Sequence, residues 1–292
     1  MEQELIQQAI DESWSLIQRR QTAPAVELLS GLITQMPPRG PQYEVACSHL
    51  SYAYRQMGKV KKAISSLRHA IRSSPRNARY RLHLALLHRE DQDAVRAMVE
   101  ARKAANLDPA LLEAHELLAE LLLEQGFLET AVRETSSILK RSPRNLRAMD
   151  ILGTALLYQG NLGRALETVE RMILVCPGDP AHHFKRAVLL QQKGNSSEAM
   201  KVYLQVLDMH PGGEIRGRSV EAIEALDDVQ TRQILVLATE DGLFHAKLMQ
   251  DAEMAVEERG YRLSPNGLAA LEQYYLPDLP NYDGFGLSFT IH

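Results

Sequence analysis

The sequence predicts an all-α fold built from tandem helical hairpins, and three regular spacings carry that prediction. Proline recurs every 34 residues, an alanine stands twelve residues before each proline, and a glycine precedes four of the five alanines by five residues. The prolines are Pro75, Pro109, Pro143, Pro177 and Pro211, the alanines Ala63, Ala97, Ala131, Ala165 and Ala199, and the glycines Gly58, Gly126, Gly160 and Gly194. A period of this length indicates one helix, a turn, a second helix and a second turn in each unit.

Residues 44–77 illustrate why each unit forms two helices. Leu50 and Tyr54 lie four residues apart and share one face of the first helix. Gly58 ends that helix because glycine accepts left-handed backbone angles. Ala63 is small enough to let the second helix approach the first, and Pro75 ends the unit because proline does not continue a helix. The unit is therefore a helical hairpin.

The pattern resembles the tetratricopeptide repeat, which has Leu at position 7, a small residue at position 8, Ala at positions 20 and 27 and Pro at position 32. Leu50, Leu84, Leu118 and Leu152 occupy position 7, although Arg186 replaces leucine in the last repeat. The resemblance implies a right-handed superhelix of about six repeats over residues 6–213. The repeats are 6–39, 44–77, 78–111, 112–145, 146–179 and 180–213, with four residues inserted around Gly40 and Pro41.

Composition and charge narrow the classes of partner. The 292 residues carry a net charge of −4, which is too balanced to indicate a nucleic-acid or anionic-membrane binder. Cys47 and Cys176 lie far apart and outside any CxxC motif, which favours a reducing, cytoplasmic setting. The acidic N-terminal segment does not resemble a secretion signal, and we find no apolar run of about 18 residues. We therefore expect protein or peptide partners, in an oligomeric state that the sequence leaves open.

The resemblance also implies a concave groove formed by the first helix of each repeat, where positions 2, 5, 9, 12 and 13 face a bound peptide. The first two repeats from residue 44 present basic and apolar side chains, the next presents glutamates, and the last offers an aromatic ring. The predicted groove residues are Tyr52, Arg55, Arg79, Leu82, Leu86, Arg89, Glu113, Glu116, Glu120, Glu124, Asp150, Tyr158 and Phe184. We expect a ligand whose charge changes sign along its length.

The four glutamates of the 112–145 repeat repel one another at helical spacing, by a few tenths of a kcal/mol per pair. Either Arg147 in the next helix or a cationic ligand offsets that repulsion, and the sequence alone does not distinguish the two. A solvated acidic helix face is the alternative to a binding role.

No pattern in the chain predicts catalysis, a metal or a cofactor. HExxH, GxSxG and the phosphate-binding GxxxxGK[ST] motif are absent from the sequence. The ten histidines lack metal-ligand spacing, and His115 and His183 occupy position 4, which is ordinarily a packing position between repeats. We therefore predict a non-catalytic adaptor or scaffold.

The period ends after residue 213, and residues 214–275 are predicted to form a helical extension that covers the last repeat. A first helix is expected over residues 219–229 or slightly beyond, with Ile223 on its apolar face. Three short helices are expected to follow, with Thr239 capping the second, Gly260 ending it, and Ser264 before Pro265 starting the third.

Residues 231–273 are similar to the leader-like modules of nitrile-hydratase-related peptide precursors, which maturation enzymes bind. The residues that carry this similarity are Asp251, Ala255, Gly260, Tyr261, Leu263, Ser264 and Leu271. It implies an alternative function, in which the chain belongs to a peptide-modification pathway and presents this region to an enzyme. The other interpretation is a plain helical cap.

Residues 276–292 form a tail with turn signals and no helical period. Residues 261–292 hold six of the sixteen aromatic residues of the chain. We expect this aromatic tail either to dock on the protein's own surface or to serve as an exposed recognition motif.

Overall fold

The computed structural model of the chain describes residues 2–278, and all regular structure in that range is helical. Twelve α-helices follow one another in six sequential hairpins. Four more α-helices follow them, and then a π-helical segment (Leu271–Tyr275) and a 3-10 helix (Leu276–Asp278). The hairpins are α1 (Glu2–Gln18) with α2 (Thr22–Gln35), α3 (Pro41–Gln56) with α4 (Val60–Ser73), α5 (Ala78–Glu90) with α6 (Ala94–Leu107), α7 (Leu112–Glu124) with α8 (Leu128–Arg141), α9 (Leu146–Tyr158) with α10 (Leu162–Val175), and α11 (Pro180–Gln192) with α12 (Ser196–Asp208). The remaining helices are α13 (Gly213–Glu240), α14 (Gly242–Gln250), α15 (Ala252–Glu258) and α16 (Pro265–Ala270). The predicted all-α repeat fold is confirmed.

The turn inside each hairpin places one residue in the left-handed region, at position 15 of its repeat. Four of the six are the glycines identified from the sequence, with φ between 69° and 84°. The other two turns use Arg20 (φ 60°) and Gln92 (φ 61°) at the same position. The two turns that lack glycine therefore keep the geometry of the others, although this conformation is costly for a residue with a Cβ.

The chain divides between Ala155 and Leu156 into two compact units. In the first unit, the alanines at position 20 are completely buried, which lets the two helices of a hairpin lie close together. A cluster of Leu82, Leu117 and Leu121 packs against the alanine-rich inner face of α6. That cluster joins helices α5 to α9, and it supports the side chains described below.

The second unit contains two hydrophobic clusters. Phe184 and Tyr203 pack with Ile223 and Leu226 of α13, so the start of α13 covers the α11–α12 hairpin. A separate cluster around Phe244, Leu248 and Leu271 holds the end of α13 and the short helices together. We call residues 231–278 the C-terminal module.

Two expectations for the C-terminal region are wrong in detail. The helix expected over residues 219–229 and the apolar helix expected after it form one continuous helix, α13, because no Gly or Pro separates them. Thr239 does not cap the following helix, since its hydroxyl donates to the Val236 carbonyl at 2.7 Å. Asp241 caps α14 instead, and its carboxylate accepts from the Leu243 and Phe244 amides at 3.0 Å.

A third expectation is also wrong, because the single helix expected to end at Gly260 is divided at Asp251 into α14 and α15. The remaining end signals act as the sequence predicts. Gly260 follows α15 with φ 80°, and Ser264 caps α16 by accepting from the Gly267 amide at 3.0 Å. Among residues 2–278 no helix is long and apolar enough to cross a membrane. The predicted aromatic tail lies outside the described residues from residue 279 onward.

Candidate functional site

A row of aromatic rings crosses the first helices of the first three hairpins. Trp14 of α1 stacks on His49 of α3, with ring centroids 4.7 Å apart, and meets Tyr52 edge-on at 5.6 Å. Tyr52 meets His83 of α5 edge-on at 5.2 Å, and its hydroxyl lies 3.3 Å from the imidazole Nε2. The predicted groove residue Tyr52 is therefore the centre of a row that joins three repeats.

A small pocket opens beside Tyr52 and His83. Its volume of about 20 Å³ has room for one water molecule. Burial lowers the pKa of His83, and the positive charges of Arg55 and Arg79 lower it further, so the imidazole is neutral near pH 7. The pocket is lined by Ser48, Ser51, Tyr52, Arg55, Leu67, His83, Leu86 and Leu87.

The charged side chains on the first helices pair with one another across repeats. Arg55 of α3 donates to Glu90 of α5, with Nε 2.8 Å from Oε1. Arg89 of α5 donates to Glu120 of α7 at 3.0 Å and also pairs with Glu124. Two arginines of the predicted basic half of the groove, Arg55 and Arg89, thus form ion pairs with carboxylates of the protein itself.

The same pairing continues from α7 to α9. Arg147 donates to Glu120 at 2.6 Å and lies 3.5 Å from Glu116, whose other oxygen accepts from Asn145 Nδ2 at 2.6 Å. We call this set the charge ladder; its members are Arg55, Glu90, Arg89, Glu116, Glu120, Glu124 and Arg147. Three of the four glutamates, all except Glu113, are therefore compensated from within the protein, and Arg147 is one of the compensating groups.

The ladder changes the pKa values of its members. Burial opposes ionisation of Glu120, but hydrogen bonds and attraction from Arg147 and Arg89 outweigh it, so the pKa of Glu120 is lowered. The hydrogen bond to Glu120 raises the pKa of Arg147. Both groups are ionised at neutral pH, as a stable pair requires.

The predicted site residues differ in how much of each reaches the surface. Leu82 and Phe184 are buried in core clusters, so each leaves little surface for a ligand. Leu86 and Asp150 are half-buried, and Tyr158 is 68% exposed. Tyr158 and Phe184 belong to the second unit, whereas the other predicted residues belong to the first.

Arg79 and Glu113 are exposed, and neither makes an ion pair within the described part of the chain. Both stand at position 2, in successive repeats. They are two of the predicted groove charges that lie outside the ladder.

The predicted groove residues do not include Glu90, Arg147 or Trp14, although the sequence carries a signal for each. Glu90 stands at position 13 of its repeat, Arg147 at position 2 and Trp14 at position 9. All three are groove positions of the tetratricopeptide repeat, which the sequence resembles. His83 carries no such signal, because it stands at position 6 and reaches the row only by packing against Tyr52.

The two histidines at position 4 make structural contacts. His115 Nδ1 lies 2.5 Å from Glu134 Oε1, and His183 Nε2 lies 2.9 Å from the Pro177 carbonyl oxygen. Within residues 2–278, no three His, Cys, Asp or Glu side chains are arranged to hold a metal ion.

Buried polar contacts attach the loop before α16, in the C-terminal module, to the middle of α13. Asp227 accepts from the Ser264 amide at 2.8 Å and from its hydroxyl at 2.5 Å. Gln230 both donates to and accepts from the backbone of Arg262. A Cβ at Gly267 would lie 2.4 Å from the Asp227 carboxylate, so this contact requires glycine. Ser264, one of the residues on which the predicted similarity to leader-like modules depends, therefore has a structural role.

The chain consists of tandem helical hairpins, and side chains on the first helices of neighbouring hairpins contact one another. This arrangement defines a helical-repeat protein. The sequence profile of the tetratricopeptide repeat matches residues 50–110, 116–180 and 151–214, together more than half of the chain. The chain therefore belongs to the tetratricopeptide repeat family. No match was found among curated proteins by sequence.

Several solved structures share the fold. A tetratricopeptide repeat protein from Parabacteroides merdae covers 91% of this chain and 97% of its own, with 18% identity and a TM-score of 0.63. MamA from Desulfovibrio magneticus RS-1 covers 57% and 94%, with 17% identity and a TM-score of 0.54. YrrB, described as a protein with an unusual peptide-binding site, covers 68% and 98%, with 14% identity and a TM-score of 0.55. At these identities the similarity is one of fold alone.

Proposed function

We propose that this chain is a non-catalytic protein-binding scaffold that holds a peptide segment against helices α3, α5 and α7. The charge ladder is the observation that carries the proposal. It joins the first helices of four successive repeats, so that Arg79 and Glu113 are held in defined positions before any ligand arrives, which lowers the entropy lost on binding. Surfaces of this kind suit an extended segment that contacts one repeat after another.

The charges left outside the ladder indicate what the peptide carries. Arg79 suits a carboxylate, and Glu113, one repeat further along, suits a lysine or arginine. The half-buried Tyr52 and Leu86 offer apolar contact beside the small pocket. The ligand is therefore a segment with an acidic part and a basic part, one repeat apart.

Peptide selection tests this proposal. Random 16-residue peptides displayed on phage are selected on the full chain, and the affinity of enriched peptides is measured by fluorescence anisotropy. We expect Arg79→Glu and Glu113→Lys each to weaken binding about tenfold, and added salt to weaken it further. Reversing Glu116 or Glu120 is a poorer test because it also breaks the ladder.

Matched controls are available on the same unit. Arg76→Glu and Glu129→Lys change charge by the same amount at exposed positions outside the first helices. Circular dichroism verifies that all variants keep their helix content. The proposal fails if enriched peptides bind Arg79→Glu and Glu113→Lys as tightly as they bind these controls.

A second candidate function assigns the C-terminal module to docking a peptide-modifying enzyme. It is favoured by exposed apolar side chains on that small module, namely Leu243 (81% exposed), Met249 (52%) and Met254 (57%). A cyclising or dehydrating enzyme encoded beside this chain supports the candidate, provided that the enzyme binds the chain and that Leu243→Lys abolishes binding. Equal binding to wild type and variant rejects it.

A further inference from the structure

An apolar patch lies on the second helices of the first unit, away from the charge ladder. Val95 and Val99 of α6 are 67% and 46% exposed, and Phe127, just before α8, is 54% exposed. All three line one open pocket of about 490 Å³, with Met98 and Leu122 at its base. We call Val95, Val99 and Phe127 the α6 patch.

The other repeats show that these apolar residues are unusual. Each residue of the patch has equivalents in the other repeats, at multiples of 34 residues along the chain. Small, polar or charged residues stand at these equivalent positions. The equivalents are Lys61, Glu129, Gly163 and Ser197 for Val95; Ser65, Arg133, Glu167 and Lys201 for Val99; and Lys59, Asp93, Asn161 and Asn195 for Phe127. The repeat fold therefore does not require apolar side chains at these positions, and their coincidence in one pocket needs another explanation.

Phe127 also forgoes a contact that two of its four equivalents make, since Lys59 and Asn195 form no side-chain cap either. Asp93 caps α6 by accepting from the Arg96 amide at 3.0 Å, and Asn161 caps α10 by accepting from the Arg164 amide at 3.3 Å. Phe127 precedes α8 at the same position and offers no side-chain cap. The residue thus weakens a helix start and exposes a ring, a local conflict typical of residues kept for binding.

The rim of the pocket is basic. Arg102 is exposed and makes no ion pair within residues 2–278, while Lys103 pairs with Glu100 at 2.7 Å. Among the described residues that line the pocket, none is acidic. An occupant with a carboxylate beside its apolar side chains matches this rim.

We propose that the α6 patch is a second docking surface, and that its occupant is a segment of another protein that presents apolar side chains next to a carboxylate. The pocket takes two or three such side chains, and Arg102 pairs with the carboxylate. This surface is separate from the one on the first helices, so the two proposals succeed or fail independently.

The same phage selection, analysed with different variants, tests this proposal. We expect a class of acidic, apolar peptides whose affinity falls at least tenfold with Val99→Lys and with Phe127→Asn, yet is unchanged by Arg79→Glu. Arg102→Glu should shift the selection from acidic to basic peptides. Ser65→Lys and Arg141→Glu are the matched controls, because both change exposed residues of the same unit outside the pocket.

Three outcomes overturn the proposal. One is a selection in which no peptide distinguishes Val99→Lys from Ser65→Lys. A second is a dimer seen by light scattering in the wild type and lost in Val99→Lys, which makes a second copy the occupant. The third is peptide binding that appears only after residues 279–292 are deleted, which makes the chain's own tail the occupant.

Discussion

The charge ladder and the α6 patch lie on the same unit and share one hydrophobic cluster, but their side chains are satisfied in opposite ways. In the ladder, Arg89 and Arg147 meet the carboxylate of Glu120 between them. In the patch, Val99 and Phe127 are about half exposed, and no apolar side chain among residues 2–278 covers them. Most of the charged side chains that the sequence offers as binding groups are thus paired with one another and hold neighbouring first helices together.

The comparison separates two kinds of signal. A row of like charges on one helix is weak support for a ligand, because the next helix can neutralise it, as α9 does here. Apolar residues at positions that are polar in neighbouring repeats are stronger support, because the fold gains nothing from their exposure. Both surfaces nevertheless depend on the core between them.

Overpacking that core is expected to have the largest effect. Ala131 of α8 is completely buried in the cluster that also holds Leu117 and Leu121. Ala131→Phe should lower the free energy of unfolding by about 1–3 kcal/mol and weaken peptide binding at both surfaces. Urea unfolding measures the change. Ser137→Phe, on the exposed side of the same helix, is the control, and equal stability of the two variants would show that the assigned helix contact is wrong.

Breaking the ladder should lower the free energy of unfolding by less than overpacking does, and it should leave peptide binding at the α6 patch unchanged. Glu120→Lys replaces two attractions with repulsion from Arg89 and Arg147, so we expect a loss of about 1–2 kcal/mol in unfolding free energy. Glu113→Lys, on the same helix without a partner, should change stability by less than about 0.5 kcal/mol. Similar losses in both variants would contradict the ladder. Peptides bound at the α6 patch should bind both variants normally.

The acid dependence of stability should be the smallest effect. The lowered pKa of Glu120 means that its ionised form stabilises the fold at pH values above the ordinary glutamate pKa of about 4.3. This stabilisation disappears as the pH falls through the pKa of the folded state. The difference in unfolding free energy between wild type and Glu120→Gln should therefore be constant near pH 7 and shrink below about pH 4. A difference that is independent of pH would exclude the ion pairs as its cause.

The repeat architecture could be predicted because its requirements are local. A left-handed turn, a close helix contact and a helix end each demand a residue type at a fixed spacing, as at Gly126, Ala131 and Pro143. The sequence predicts two helices where the structure has the single long helix α13. Apolar periodicity shows which face of a helix is buried, but only a helix-breaking residue such as Gly or Pro shows where the helix ends. The sequence offers both Thr239 and Asp241 as residues that can cap the next helix. In the structure, only Asp241 accepts from the first amides of α14, whereas the Thr239 hydroxyl donates back to the Val236 carbonyl.

The site was harder to predict because ion pairs depend on which helices become neighbours. Position 13 held Glu90 and position 2 held Arg147, but only the folded structure joins them to Arg55 and Glu120. Leu82 looked like a groove residue by its position, yet packing places it in the core. The α6 patch, in contrast, is visible once the repeats are aligned, since Phe127 departs from four polar or charged equivalents.

The stability of Phe127→Asn tests most directly whether the α6 patch is kept for binding rather than for folding. Asparagine restores the cap that Asn161 provides in the next repeat and removes an exposed ring. We predict that urea unfolding will show the variant to be more stable than wild type, by about 0.5–2 kcal/mol. A less stable variant would contradict the account, because Phe127 would then support the fold.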